Sequence, residues 1–581
     1  MENKILKPLT SNIKKYRIAV FDIEANNWTD FLILGFFDGE NYYEFYDIEK
    51  FLDFVLRLKY RGFKIFAHYA GRYDFLFLLE HLKQRASLID VNGKIIQIKA
   101  NLFKLQTERS YIYFCDSFAL LPNSLEKLSY AFDVKYKKLK MDFSKKLIIN
   151  NRLKKYLKYD CLALYEILVK FQDEINNLGG QMKLTIASTA MDIFRRKYLN
   201  IAIPSHKHIE DFIRLGYYGG RVEVFKKYFN ASVNSATNKG KYLYDYDFNS
   251  LYPSVMQDNT FPVGNPSFIN NYRYNRNDVG FAEIETHIPH NIYIPPLPYR
   301  LNEMLIFPTG HLQGVYPFPY INVLEALNIP YKINKAYLFD RADLFSDFVN
   351  DVYYRRLQNK DNVKSYILKI LANSLYGKFA QKRERREFII IPDQDDLKKG
   401  LHIYNNDVDL WFNDLELDSA HILPAISAYV TAYAHIKLFN NLKQYSNSIY
   451  YCDTDSLFTT CHLPTSLNLG SLKLEDQIQE AIFINPKCYA YINLDGKEII
   501  KAKGFSREEL NFNSFKKVLF KNDLSDFNQT FKKMYGFKSA LNSIANKNKS
   551  YLYYADYKKS LKSFDLKREF NYFNSVPIKV Q

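Results

Sequence analysis

Tyr451-Cys452-Asp453-Thr454-Asp455-Ser456 is the stretch whose reading decides the fold. Ser448-Ile449-Tyr450 before it and Leu457-Phe458-Thr459 after it are β-formers, so the pattern predicts a hairpin tip. Asp453 and Asp455 stand two apart, and residues i and i+2 share a strand face. Two carboxylates about 4 Å apart repel by roughly 4 kcal/mol at an effective dielectric near 20. Such a pair calls for a cation or a proton. A solvated turn is the competing reading, because Asp and Thr are common in turns. The stretch alone leaves both open.

The chain has 581 residues, enough for several domains, and 47% of them are hydrophobic. Its 80 Lys and Arg against 63 Asp and Glu give a net charge of +17. That excess points to a polyanionic partner, nucleic acid before membrane surface. The 48 Tyr and 46 Phe suit base stacking. An AT-rich coding sequence produces the same enrichment, so the aromatic count carries little weight. Cys115, Cys161, Cys452, Cys461 and Cys488 form no CxxC pair, which excludes a zinc ribbon or disulfide framework and indicates a reducing compartment. Residues 1–16 lack the apolar core of a secretory signal, and no run of about 20 apolar residues could span a membrane. The reading is a soluble, unsecreted chain with no membrane partner.

Further acids fall at positions suited to a cation site. Asp22 and Glu24 end the strand-like run from Tyr16, again two apart. Asp74 follows a short apolar strand, Lys64 to His68, and begins an apolar helix, where it could instead be an N-cap. Tyr156 and Asp160 share one face of a helix predicted from Asn151 to Lys170; a solvated face is the alternative for Asp160. Together the four acids suit a two-cation centre for phosphoryl chemistry.

At these residues the chain resembles the 3′→5′ exonuclease domain of family-B DNA polymerases. Asp22-x-Glu24, Asp74 and Tyr156-x-x-x-Asp160 match its three motifs in order. The resemblance implies an RNase H-like mixed sheet, four metal-ligating acids and a tyrosine that orients water. It implies single-strand contacts at His68, Ser117 and Phe118, and offers Lys145 as the nuclease lysine. Tyr69 stands where the family has Asn, and Phe118 where it has Leu.

The resemblance continues downstream. Tyr217-x-Gly219-Gly220 is similar to a template-contact motif, and its glycine pair permits close backbone approach. Asp247-Phe248-Asn249-Ser250-Leu251-Tyr252-Pro253 matches the first polymerase motif in full. Asp247 is thereby the third carboxylate beside Asp453 and Asp455, and Tyr252 lies under the incoming sugar. Lys369-Ile370-Leu371-Ala372-Asn373-Ser374-Leu375-Tyr376-Gly377 matches the triphosphate-binding helix, with Lys369, Asn373 and Tyr376 on one face and Gly377 at its end. Thr431-Ala432-Tyr433-Ala434-His435 resembles a DNA-contact motif whose last position is usually Arg, and Lys487-Cys488-Tyr489 matches the family's KxY segment. Lys487 is assigned to the nucleotide and Tyr489 to DNA.

Seven motifs in order imply α/β and α+β domains: an RNase H-like exonuclease and a right-hand polymerase of palm, fingers and thumb with two insertions. The boundaries are 1–180 for the exonuclease, 181–260 for the junction and first palm segment, and 261–345 for an insertion contacting a terminal protein. Residues 346–382 are the fingers, 383–420 a second insertion for strand displacement and processivity, 421–504 the palm and 505–581 the thumb. The order and compact length resemble the protein-primed subgroup of small linear phages and mitochondrial linear plasmids. That implies two Mg²⁺ ions per active site (Mn²⁺ as a substitute), Asp247 and Asp455 as polymerase ligands with Asp453 assisting, and template-primer DNA and dNTPs as substrates. It also implies a separate terminal protein as primer, since only about 20 residues precede the first motif, and a monomer. The location is the mitochondrion for an organellar plasmid and otherwise the host cytoplasm of a phage. A nucleic-acid-primed family-B polymerase and a non-catalytic nucleic-acid-binding relative are the alternatives.

Overall fold

The computed structural model describes residues 4–27, 30–78, 81, 93–99, 102–107, 110–143, 145–236, 242–359, 363–390, 402–405, 410–416, 419–534, 554–561 and 567–581. Its first domain is built on Ile18–Asn26, a strand apolar on both faces and so able to sit mid-sheet. Ile18–Asn26 runs parallel to Lys64–Ala67, which runs parallel to Tyr111–Asp116. Asp30–Phe37 and Tyr42–Phe45 continue the sheet antiparallel on the other side. The helix Asn151–Asn177 covers one face with Leu157, Cys161, Leu164 and Leu168, starting from an Asn150 cap that accepts from the Leu153 amide. It runs past Lys170, where its sequence periodicity was read to end.

Beyond Tyr111–Asp116 the same sheet adds Leu102–Thr107 and Gly93–Lys99. It then takes Glu384–Ile390, Leu410–Glu416 and His402–Asn405 from the second insertion, reaching ten strands. Glu384–Ile390 is therefore bonded to the sheet of the first domain through its backbone.

The palm sheet has the order Val222–Val224, Ile449–Asp453, Ser456–Thr459, Leu243–Phe248, Leu472–Asn485, Cys488–Asn493, Glu498–Ala502. Alternation places Tyr246, Phe248, Leu457 and Cys452 in the core. The first insertion forms its own sheet from Phe261–Asn270, Tyr331–Ala342, Val279–Ile288 and Thr309–Pro317. Val279–Ile288 and Tyr331–Ala342 run for 10 and 12 residues. Ser346–Gln358 and Val363–Phe379 are the finger helices, and the second continues past Gly377, which stands inside its last turn rather than after its end.

The described residues of 505–581 fall into separate parts. Phe512–Lys521 packs Phe512, Phe515 and Val518 against Ile482, Ile484 and Ala490 of the palm sheet. Gln529–Met534 pairs with Tyr554–Lys559 as a separate ribbon. Arg568–Asn571 and Asn574–Pro577 form a hairpin that returns to the palm edge, and Lys579–Val580 joins the first insertion parallel to Thr309–Pro317. No described helix is long and apolar enough to cross a membrane.

Candidate active sites

The opening stretch is a hairpin with a two-residue turn, Thr454-Asp455, in which Thr454 takes φ 61°. The strand ends at Asp453 and Asp455 lies in the turn, so the two carboxylates do not share a strand face as their spacing suggested. Asp453 turns to Lys487, whose Nζ donates to both its oxygens at 2.5 and 2.7 Å. Asp455 is left to Asp247. The Phe248 amide donates to the Asp455 carbonyl at 2.8 Å, and Asp247 stands opposite Ser456 on the neighbouring strand. Partial burial and then the Asp455 charge push Asp247 up to about 7, with Lys369 and Lys473 opposing. Asp455 is raised chiefly by burial, and Lys487 and Lys369 oppose the rise. Lys369 thus lies near enough to both acids for its charge to oppose their rise.

Tyr252 and Tyr376 stack on each other beside these acids, ring centroids 4.5 Å apart and planes at 25°. The Tyr376 carbonyl accepts from Ser427 Oγ at 2.7 Å, which fixes the end of the finger helix to the helix Pro424–Gln444. Asn373 is half-buried on the same finger helix. Tyr217 lies near both rings and raises the Tyr376 phenol after burial does. Gly220 needs its missing side chain, because a Cβ there would lie 2.5 Å from Thr454 Oγ1. Gly219 faces open space.

Two of the residues assigned to DNA, His435 and Thr431, lie in the core, and a third, Tyr489, is half-buried beside Tyr451. His435 is 4% exposed, and its Nδ1 lies 2.5 Å from the Tyr320 hydroxyl. Burial lowers it to about 4, so it is neutral in the core. Thr431 is buried too and bonds the Ala428 carbonyl of its own helix. Pro424–Gln444 is buried on most of its circumference, which is why a surface motif read there fails. Tyr489 packs on Tyr451, Phe458 and Phe483.

The second centre gathers the other acids. Asp22 and Glu24 project from Ile18–Asn26, Asp160 from the covering helix, and Asp74 accepts from the Ile23 amide at 3.1 Å, so it is tied to the strand as well as to its own helix start. Glu24, Asp74 and Asp160 are buried. Desolvation first, then Asp160, raises Asp22 to about 7; desolvation, then Asp22, raises Glu24 to about 9. Asp74 and Asp160 are raised as well, chiefly by burial. Among the described residues Asp160 Oδ1 has no hydrogen-bond partner. Tyr156, one turn before Asp160, is 3% exposed, and burial lifts its phenol above the ordinary range.

Lys138 is the residue that sequence reading missed. Its Nζ donates to Asp160 Oδ2 and lies 4.7 Å from the Tyr156 ring centroid. Lys145, offered instead, is exposed and pairs loosely with Asp142 at 3.9 Å. Nothing in residues 135–145 marks one lysine over another, since Lys138 comes from an irregular segment without periodicity. His68 and Ser117 turn inward: Ser117 is wholly buried and donates to the Ala67 carbonyl, and the His68 nitrogens lie 2.9 Å from Ser117 Oγ and 2.8 Å from the Asn123 carbonyl. The outward surface is Phe118 with Tyr69, ring centroids 3.9 Å apart.

Among the described residues no three His, Cys, Asp or Glu groups converge in a metal-binding arrangement. The chemistry of the donors nevertheless fits divalent cations. Each centre is rich in carboxylate oxygen, short of counter-charge, and touched by one ammonium, Lys487 or Lys138.

A hairpin carrying Asp453 and Asp455, joined to a domain whose central strand carries Asp22 and Glu24 beside Asp74 and Asp160 from two helices, gives a right-hand polymerase architecture with a second acidic domain. The chain belongs to the family described as DNA polymerase type B, organellar and viral, whose pattern matches residues 56–151 and 142–460. A probable DNA polymerase of Neurospora intermedia is 28% identical over 595 residues, covering 88% of this chain and 60% of its own. The DNA-directed DNA polymerase of Enterobacteria phage PRD1 is 26% identical, covering 85% of this chain and 86% of its own. Phi29 DNA polymerase complexed with primer-template DNA and incoming nucleotide shares the fold, with a TM-score of 0.71 at 17% identity over 94% of this chain and 100% of that one. This chain spans 60%, 50% and 50% of the relatives from Neurospora, Ascobolus immersus and Podospora anserina.

The raised acids make a stability prediction. The folded-state values of Asp22 and Glu24, about 7 and about 9, lie above those of an unfolded chain. The folded protein therefore holds protons that the unfolded chain has released, and stability falls as pH rises through that window. With divalent cations chelated, wild type should lose more melting temperature between pH 6 and pH 9 than Asp22→Asn with Glu24→Gln, by about 2 °C or more. Calorimetry in EDTA checks this, and added Mn²⁺ should raise the melting temperature of wild type more than that of the variant, which keeps only Asp247 and Asp455.

Proposed function

We propose that this chain is a template-directed DNA polymerase with 3′→5′ exonuclease activity, acting in protein-primed replication of a linear DNA. The observation that carries the reading is the polymerase centre: Asp247 and Asp455 fixed on neighbouring backbone beside the Tyr252–Tyr376 stack, with Lys369 near them.

Asp247 and Asp455 would hold two Mg²⁺ ions, or Mn²⁺ in their place, with Asp453 assisting; Asp22, Glu24, Asp74 and Asp160 would hold two more. When bound, such ions supply activation of a hydroxyl or water and neutralisation of phosphate charge. The chain's own groups do the rest. Lys369 presents a point charge to a triphosphate. Tyr252 forms a wall under the sugar that excludes a 2′-hydroxyl, and Tyr376 stacks on the nascent base pair. Asn373 lines the same face, and Lys487 holds Asp453 near the primer end. Tyr217, Gly219 and Gly220 carry the template strand past the hairpin. In the nuclease centre Tyr156 and Lys138 flank Asp160, where they orient water, and Phe118 with Tyr69 offers aromatic surface to a frayed base.

The first insertion sheet offers a surface to a terminal protein whose hydroxyl replaces the primer 3′-hydroxyl at initiation. The second insertion, paired to Gly93–Lys99, bridges the fingers and the exonuclease domain and supports strand displacement and processivity. The family's organellar and viral scope and the fungal relatives favour the mitochondrion, with a phage host cytoplasm as the other setting.

Asp455→Ala should lower primer extension by about 10³-fold or more, in the range seen when a principal electrostatic group is lost, and leave degradation of single-stranded 3′ ends intact. Asp22→Ala with Glu24→Ala should do the converse. Extension and nuclease assays on gel-resolved oligonucleotides read both; synthesis retained by Asp455→Ala refutes the polymerase assignment. Protein priming predicts that a radiolabelled nucleotide becomes attached to a protein encoded by the same replicon, in a product resistant to nuclease and sensitive to protease. Label found only on nucleic acid would refute it.

A further inference from the structure

The catalytic turn is held from its outer side by the palm edge. Val222 stands opposite Asp453, Glu223 opposite Cys452 and Val224 opposite Tyr451. The Thr454 amide donates to the Arg221 carbonyl at 2.7 Å. Wherever Arg221 to Val224 sit, the Thr454-Asp455 turn must follow.

That edge is anchored by a buried ionic triad. Arg221, Glu223 and Arg568 are 1%, 0% and 2% exposed. Arg221 Nε donates to Glu223 Oε2 at 2.6 Å, and Arg568 Nη1 to Glu223 Oε1 at 3.3 Å. Arg221 Nη1 also donates to the Pro295 carbonyl, and its guanidinium lies over Phe307, both in the first insertion. Arg568 donates from Nε to Ser575 Oγ at 2.7 Å and from Nη2 to the Tyr293 carbonyl at 3.1 Å. Its guanidinium also stacks over Phe225. The Ser575 amide closes the contact by donating to the Phe225 carbonyl at 3.1 Å. Three parts of the chain thus meet at Glu223: palm edge, first insertion and carboxyl-terminal hairpin.

Burying three charges is a poor way to gain stability, since apolar side chains of equal volume commonly do as well or better. One nitrogen of the triad, Arg221 Nη2, is buried without a hydrogen-bond partner among the described residues. What the triad supplies is direction. A guanidinium fork fixes angles as well as distance, and an error of about 1 Å in reacting groups can cost about 100-fold in rate.

We propose that Arg568 is a positioning residue for nucleotide addition: through Glu223 and Arg221 the carboxyl-terminal hairpin sets the place of the Asp455-bearing turn. The inference rests on the polymerase reading of that turn.

The test uses the full chain with Arg568→Ala, Arg568→Lys and Glu223→Gln. Primer extension, single-strand nuclease activity and hydrogen exchange over residues 451–456 are measured on each. Arg568→Ala should lower the kcat of extension about 10- to 100-fold with little change in KM for dNTP, leave nuclease activity unchanged, and speed exchange at the turn. Methylguanidinium should restore part of the extension. Wild-type extension by a folded Arg568→Ala overturns the proposal, and so does an equal fall in extension and nuclease activity. If Arg568→Ala does not fold, Arg568→Lys decides, because an ammonium cannot reach Glu223, Ser575 and Tyr293 together. Reduced extension with intact nuclease activity supports positioning; full extension shows the triad to be structural only. Glu223→Gln should match Arg568→Lys, and wild-type extension by it counts against the triad. Should wild type itself fail to extend primers, the polymerase reading falls; turn exchange in the variants then still reports on the mechanical link.

Discussion

The structure depends on keeping carboxylates out of water and within reach of one another's charge. Burial raises Asp22, Glu24, Asp74 and Asp160 in one centre and Asp247 and Asp455 in the other, and a neighbouring carboxylate adds to the rise at each of these except Asp160. No side-chain contact could impose this. It is imposed by backbone: two neighbouring palm strands and their turn, and one central strand bonded to Asp74 through the Ile23 amide. Lys487 and Lys138 each relieve part of the charge, from outside the strands that carry the acids. Both centres are thereby poised for cations.

The two centres share one framework. Second-insertion strands extend the exonuclease sheet, while the carboxyl-terminal hairpin and last strand bind the palm edge to the first insertion. Segments far apart in sequence, residues 221–223, 293–307 and 568–580, thus meet behind the catalytic turn. Neither insertion is an appendage in mechanical terms.

Much of this was legible in the sequence. β-formers on both sides of Asp453 predict the hairpin, and Tyr156 with Asp160 fall on one helical face because 3.6-residue periodicity places them there. Where reading failed, a tertiary cause is visible. Two-residue spacing put Asp453 and Asp455 on one face, but the strand ends between them. Thr431 and His435 lie in a motif that resembles a DNA contact, yet their helix is enclosed by the palm and first insertion. Lys138 reaches Asp160 across 22 residues from an irregular segment, and no local pattern encodes such a contact. The return of Arg568 to Glu223 is of the same kind: 345 residues separate them, and a basic tail reads simply as basic.

The central claim is that these are two separate cation centres, each created by its own forced cluster of acids. Titration of the full chain with Mn²⁺, followed by electron paramagnetic resonance, tests it most directly. The account predicts that Asp247→Ala with Asp455→Ala removes one set of bound ions and Asp22→Ala with Glu24→Ala another, each leaving the other set in place. Loss of all bound ions in either variant, or wild-type binding in both, would contradict it.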